Sequence, residues 1–274
     1  MRLFTALRER RPSLAAGLLA LRSKAARGQI RMSSSLPVAA VCQMTATPDK
    51  DANFSACTRL VEQAKEGGAS MVFLPEGFDY IGSNREETLV LSETLDGDII
   101  TRYTHLARKL DVWLSLGGFH ERGHDWKTDR RIYNSHIIIN GQGEIVSVYR
   151  KGHLFDVELT SKGVSLRESA FTVPGTRLLP PVQTPIGKVL LRARAIETQC
   201  FVLAAAQVGA HHAKRTSYGH ALAVDPWGVV IGDCGGSDVG VTLIQIDLQA
   251  LQDIRRDMPV QQHRREKDFY CSLD

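Results

Sequence analysis

The 274-residue chain has no apolar run long enough to cross a bilayer, a span that takes about 20 residues. Its first strand-like segment is not followed by G-x-G-x-x-G, which disfavours a doubly wound dinucleotide fold, and no P-loop is present. No G-x-S-x-G elbow occurs, so a Ser-His-Asp hydrolase is unsupported. The five cysteines (Cys42, Cys57, Cys200, Cys234, Cys271) form no C-x-x-C and no pairing rhythm, the usage of free thiols in a reducing compartment. Acids are scarce at the start, where Glu9 alone faces Arg2, Arg8, Arg10, Arg11, Arg22, Lys24, Arg27 and Arg31. With eight basic residues against one acid, that stretch more than accounts for the chain's net charge of +4, so the remainder is slightly acidic and offers no basic surface for nucleic acid.

What is present reads as a globular domain behind a leader. Residues 1–35 are Arg-rich and loosely amphipathic, the pattern of a mitochondrial targeting leader. Met32 offers an internal start that would give a cytosolic form, so both compartments are expected. Residues 36–274 are expected to form one domain, beginning with the buried strand "LPVAAVCQM" (36–44). A helix from Asp51 is closed by Gly67-Gly68, and "ASMVFLPE" (69–76) is a second buried strand. A helical stripe runs over 98–110, then strands over 112–121, 133–140 and 145–151, the last two joined by the turn "NGQGE". Residues 152–183 read as a long loop with short strands. "FVLAAAQV", "HALAVDPWGVVIGD" and "VTLIQIDL" read as strands, "HHAKRTSYGH" as a polar loop, and 249–258 as a helix. The order predicts one α/β domain with mixed sheets.

Few residues invite chemistry. Glu76 closes an apolar strand where a carboxylate can project into a cleft; partial desolvation there would raise its pKa and suit it to general-base work. From position alone it reads more readily as an ordinary strand-end acid facing water. Lys151 ends "VSVYRK" and gains interest only if it meets Glu76 over a shared pocket, where an ammonium could stabilise an oxyanion. Glu168 is a third candidate, otherwise a plain loop acid. His211, His212 and His220 could be drawn as a metal cluster, but no carboxylate or cysteine stands at ligand spacing. His120 and His153 read as hydrogen-bonded structural residues, and Cys42 and Cys200 as core thiols.

Several stretches in order, "LPVAAVCQMTATPDKDANF", "VFLPEGFDYI", "WLSLGGFHERGHDW", "YRKGHLFDVEL", "LLRARAIETQCFVLAAAQVGAHHAKRTSYGHALAVDPWG" and "MPVQQHRR", resemble the nitrilase superfamily of carbon-nitrogen hydrolases. In particular the chain resembles the branch of amidases acting on deaminated glutathione. The resemblance implies an α/β fold of the αββα sandwich type, oligomers of identical subunits, a small-molecule amide as substrate, and neither cofactor nor metal. It also implies a Glu-Lys-Cys mechanism with Glu76 as general base, Lys151 as the oxyanion-stabilising cation and Glu168 as a positioning acid. The cysteine thiolate would attack the amide carbonyl, and water would then hydrolyse the thioester; with deaminated glutathione the products are 2-oxoglutarate and Cys-Gly.

One block of the pattern is missing. In "TPIGKVLLRARAIETQC" (184–200) the strand "IGKV" runs at Val189 directly into the helical pattern from Leu190. In the superfamily that strand continues into the elbow bearing the nucleophilic cysteine, and a helix and another strand follow. None of the five remaining cysteines matches that position, so no nucleophile is assigned. The chain is therefore expected to be inactive as an amidase, with one sheet short of a strand. The alternative expectation is a non-catalytic variant that pairs with full-length subunits.

Overall fold

The computed structural model describes residues 36–123, 125–159, 164–177, 179, 182–185, 187–189, 199–213 and 215–258. The expected leader, the helix from Leu190 to Thr198 and the tail beyond Met258 lie outside them.

The apolar run predicted first forms β1 (Val38–Met44), and α1 (Lys50–Glu66) follows. The Asp49 carboxylate accepts the Ala52 N–H to start α1, and Gly67 closes it. Next come β2 (Ala69–Leu74), α2 (Arg85–Leu91), α3 (Asp98–Leu110), β3 (Trp113–Arg122), β4 (Ile132–Ile139) and β5 (Ile145–Arg150). β1, β2 and β3 pair in parallel, because α1 and α3 cross over one face; β4 and β5 continue antiparallel. The sheet is completed by β11 (Ala206–His212) and β12 (Arg215–Tyr218), with β15 (Gly240–Gln245) antiparallel to β1.

Alternation along these strands gives the sheet two apolar faces. On one, Cys42, Leu74, Leu114, Leu116, Phe119 and Ile137 bury against Cys57, Leu60 and Val61 of α1 and Ile100, Tyr103 and Leu106 of α3. On the other, Val41, Met71, Phe73, Ile138 and Ile244 meet a second layer through Ala223, Leu203 and Val182. That second layer holds a three-stranded sheet of β10 (Val202–Ala204), β13 (Leu222–Val224) and β14 (Val230–Asp233). It also holds the hairpin of β8 (Val182–Thr184) and β9 (Gly187–Val189). The result is a mixed α/β sandwich, and among the described residues no strand joins β9 to β10. A separate hairpin pairs β6 (Asp156–Leu159) with β7 (Val164–Arg167), and α4 (Leu248–Asp257) follows β15. No described helix is long and apolar enough to cross a membrane.

Four local expectations are corrected. "FVLAAAQV" is two strands, because the chain passes at Ala205 from the second layer into the large sheet. "HALAVDPWGVVIGD" is a hairpin, turned where the Asp225 carboxylate accepts the Trp227 and Val229 N–H groups and Gly228 takes φ +80°. "HHAKRTSYGH" is the β11–β12 hairpin: His211 is buried, donating from Nδ1 to the Ala46 carbonyl (2.7 Å) and bonded through Nε2 to Ser217 Oγ (2.7 Å). The helix α2 was not expected; Asn84 caps it by accepting the Glu87 N–H.

His136 shares the inner face of β4 with Ile138 and bonds Ser115 Oγ at 3.0 Å. Burial pushes its imidazole down from 6.5 to about 4. The unfolded chain takes up that proton near pH 6.5 while the folded chain waits until about pH 4. Stability contributed by the neutral ring is therefore complete above 6.5 and is lost as pH falls towards 4, by up to about 3 kcal/mol. Urea unfolding at pH 7 and pH 4.5 should show this loss, and His136→Gln should shrink it.

Candidate active site

Pro75 ends β2, and the chain leaves the sheet at Glu76 beside a bulge in β3 at Gly117-Gly118. Gly77 takes φ +72° and donates to the Gly118 carbonyl at 3.1 Å. Gly118 itself has φ +62°, and a Cβ there would lie 2.3 Å from Glu76 Cγ. The bulge thus makes room for the carboxylate. Gly118→Ala is expected to displace Glu76 and cost about 1–3 kcal/mol, through the forced φ and the overlap; chemical denaturation with a crystal structure of the variant checks both effects.

The three acids and bases singled out in the sequence come together. Lys151 follows β5 and is held by its N–H to the Asn134 carbonyl (2.8 Å). Its Nζ lies 2.9 Å from Glu168 Oε2, 3.2 Å from Oε1, and 4.0 Å from Glu76 Oε1. Glu168 opens a short 3-10 turn (Glu168–Ala170) and also accepts the Phe155 N–H at 2.6 Å. Burial alone would raise the Glu168 carboxyl, but the Phe155 N–H, Lys151 and Asn134 together hold it below the ordinary carboxylate value. Glu168 is thus a fixed anion that pins the ammonium beside Glu76.

Asn134 is the group that sequence reasoning missed. Its Nδ2 donates to Glu76 Oε1 (3.0 Å) and to Glu168 Oε1 (3.1 Å), bridging the two carboxylates. The only sequence signal was a polar residue on a strand otherwise ending "IIIN". Gln207 of β11 adds a second tie, donating to the Glu76 (3.1 Å) and Gly77 (3.2 Å) carbonyls. The expected desolvation of Glu76 is not found: its side chain is 64% exposed, against 21% for Lys151 and 13% for Glu168. Asn134 and Lys151 flank one side of it, and the other side is open.

No described thiol reaches this cluster. Cys42 and Cys57 are fully buried, and burial pushes the Cys57 thiol up to about 12 and raises Cys42 as well. Cys234 bonds Thr242 Oγ1 at 3.1 Å. Cys200 is not the core thiol expected: it is half-buried, with Arg255 Nη2 at 3.2 Å from its sulfur. His120 donates from its ring Nδ1 to the buried Asp79 (3.0 Å), and Tyr80 stacks on it at 4.3 Å. Among the described residues no group of His, Cys, Asp or Glu side chains is arranged to hold a metal.

The sequence profile of the carbon-nitrogen hydrolase family matches residues 38–191 and 188–256. The chain belongs to this family. Among carbon-nitrogen hydrolase relatives, the deaminated glutathione amidase of Rattus norvegicus is 47% identical over 280 residues, covering 87% of this chain and 85% of its own. That of Homo sapiens is 46% identical over 283, covering 88% and 86%. The crystal structure of the C. elegans NitFhit protein superposes with a TM-score of 0.79 at 39% identity, over 87% of this chain and 67% of that one. The family assignment makes this chain a member of a class that hydrolyses C–N bonds. The alignment to the rat protein spans 280 positions yet uses 87% of a 274-residue chain, so roughly forty positions of the relative have no counterpart here. The two profile segments meet at residues 188–191, the junction of Val189 and Leu190.

Proposed function

We propose that this chain is the scaffold of a deaminated glutathione amidase that keeps the general base and the cation but lacks the nucleophile. The observation that carries the reading is the Glu76–Lys151 pair at 4.0 Å, braced by Glu168 and Asn134, in a chain whose sequence breaks at the strand leading to the nucleophile. Glu76 would take the proton of an attacking thiol and Lys151 would stabilise the tetrahedral oxyanion, roles that each need a nucleophile to act upon. Residues 1–35 serve as a mitochondrial leader, initiation at Met32 supplies a cytosolic form, residues 36–274 make the hydrolase domain, and the complete protein is a homo-oligomer without cofactor. The test is repair. Inserting the rat protein's own block between Val189 and Leu190 should restore release of 2-oxoglutarate from deaminated glutathione, and mutating the inserted cysteine or Glu76→Gln should remove it. A folded, repaired chain that leaves this substrate untouched would end the reading.

A second reading is favoured by the surface. Trp227, Val229, Val230 and Val239 are all exposed, and Trp227 borders a groove of about 440 Å³ between β14, β15 and α4. Apolar side chains in such number suit a subunit contact. As a non-catalytic variant the chain would pair with full-length subunits, and native mass spectrometry after co-expression with the human relative should then show mixed oligomers.

A further inference from the structure

The site retains what hydrolysis by water itself requires. Asn134 engages one oxygen of Glu76, Oε1, and the carboxylate is 64% exposed, so Oε2 can take a water molecule. Lys151 is fixed by two bonds to Glu168 and lies 4.0 Å from Glu76 Oε1, leaving its remaining N–H for a developing negative charge. A positioned base and a neighbouring cation accelerate attack on a carbonyl without a covalent intermediate, provided the leaving group departs without help. An amide does not meet that condition, because its nitrogen must be protonated before it leaves. A thioester does, because a thiol of pKa about 8.5 leaves as thiolate.

We propose that this chain hydrolyses small acyl thioesters at Glu76 and Lys151 by direct attack of water. This extends the reading above and rests on it only in taking Glu76 and Lys151 as a working pair. The water bound to Glu76 forms the new C–O bond as its proton passes to the carboxylate. The carbonyl electron pair moves to oxygen beside Lys151 Nζ. Collapse of that oxyanion breaks the C–S bond, the sulfur leaves unassisted as thiolate, and Glu76 releases its proton to solvent, where the thiolate takes one up. One thioester and one water give one carboxylic acid and one thiol, and no oxidant or reductant is consumed. With the Glu76 side chain 64% exposed, the rate should rise linearly with substrate and not saturate.

The experiment uses the full 274-residue chain with phenyl thioacetate, following acetate and thiophenol release, together with Glu76→Gln, Lys151→Met and Cys200→Ser. Glu76 is exposed and its replacement isosteric, and melting curves check that each variant folds. The expected result is about a hundredfold acceleration over buffer, the lower end for a positioned base. It should fall at least about tenfold in Glu76→Gln and in Lys151→Met. Cys200→Ser should match the parent, and intact mass should show no acetylated protein. A rate equal to buffer, activity surviving Glu76→Gln, or acetyl groups on a cysteine with loss in Cys200→Ser would each overturn the proposal. Failure here with a working repaired amidase sinks this inference alone. Thioester hydrolysis with a repaired chain that ignores deaminated glutathione sinks only the substrate assignment.

Discussion

The purified chain is expected to hydrolyse deaminated glutathione at least about 10⁴-fold more slowly than the rat relative, because the proposed scaffold lacks the attacking thiol of the covalent route. Neither Glu76 nor Lys151 can substitute. A carboxylate is a weak nucleophile towards an amide, and Lys151 Nζ is engaged by Glu168, with Nζ–Oε2 at 2.9 Å. The described thiols cannot be recruited, since Cys42 and Cys57 are buried and protonated, while Cys200 and Cys234 are bonded elsewhere. Parallel steady-state assays of the two proteins measure the difference. A gap of less than about tenfold would mean that an unassigned group attacks.

Arg150→Met is expected to destabilise the fold by about 3 kcal/mol. Glu121 is buried, and its carboxylate accepts Arg150 Nε at 2.8 Å, Arg150 Nη2, and Ser135 Oγ at 2.6 Å. Removing the guanidinium leaves an uncompensated buried charge, which costs roughly 3–5 kcal/mol; the Arg150 side chain is 36% exposed, so the low end applies. The effect should reach the site. Ser135 and Arg150 sit on the helix-covered face of β4 and β5, one residue along from Asn134 and Lys151 on the opposite face. Loosening this clamp frees β5 to shift and moves Lys151 away from Glu76. Urea denaturation measures the first effect. Pairing Arg150→Met with Glu121→Gln should recover much of the loss, because the orphaned charge is then gone.

How far the sequence revealed this depends on the element. α1 and α3 carry helical stripes, and β1 and β2 are apolar runs bounded by turn residues, so local pattern located them and the strands up to β5. The break at Ala205 was illegible because "FVLAAAQV" is apolar on both sides of it, and only the pairing of β10 with β13 and of β11 with β1 separates the two sheets. α2 is seven residues long, too short for periodicity to speak, and its start rests on one Asn84 hydrogen bond. In the site, Glu76 and Lys151 were visible as charges ending apolar strands, and the β4–β5 hairpin was legible in "NGQGE", but their meeting depends on the β3 bulge and on the pairing of β3 with β4, which spacing does not encode. Asn134 stayed hidden because an amide inside a strand has no marker until both of its carboxylate partners are placed.

The most direct test of a scaffold with base and cation but no nucleophile is a single-turnover reaction of the full chain, in excess, with deaminated glutathione, quenched over time and read by intact protein mass. The expected result is no 2-oxoglutarate and no acyl adduct on any of the five cysteines. An adduct that forms and decays with product release, and that vanishes in Glu76→Gln, would contradict it and name the missing nucleophile.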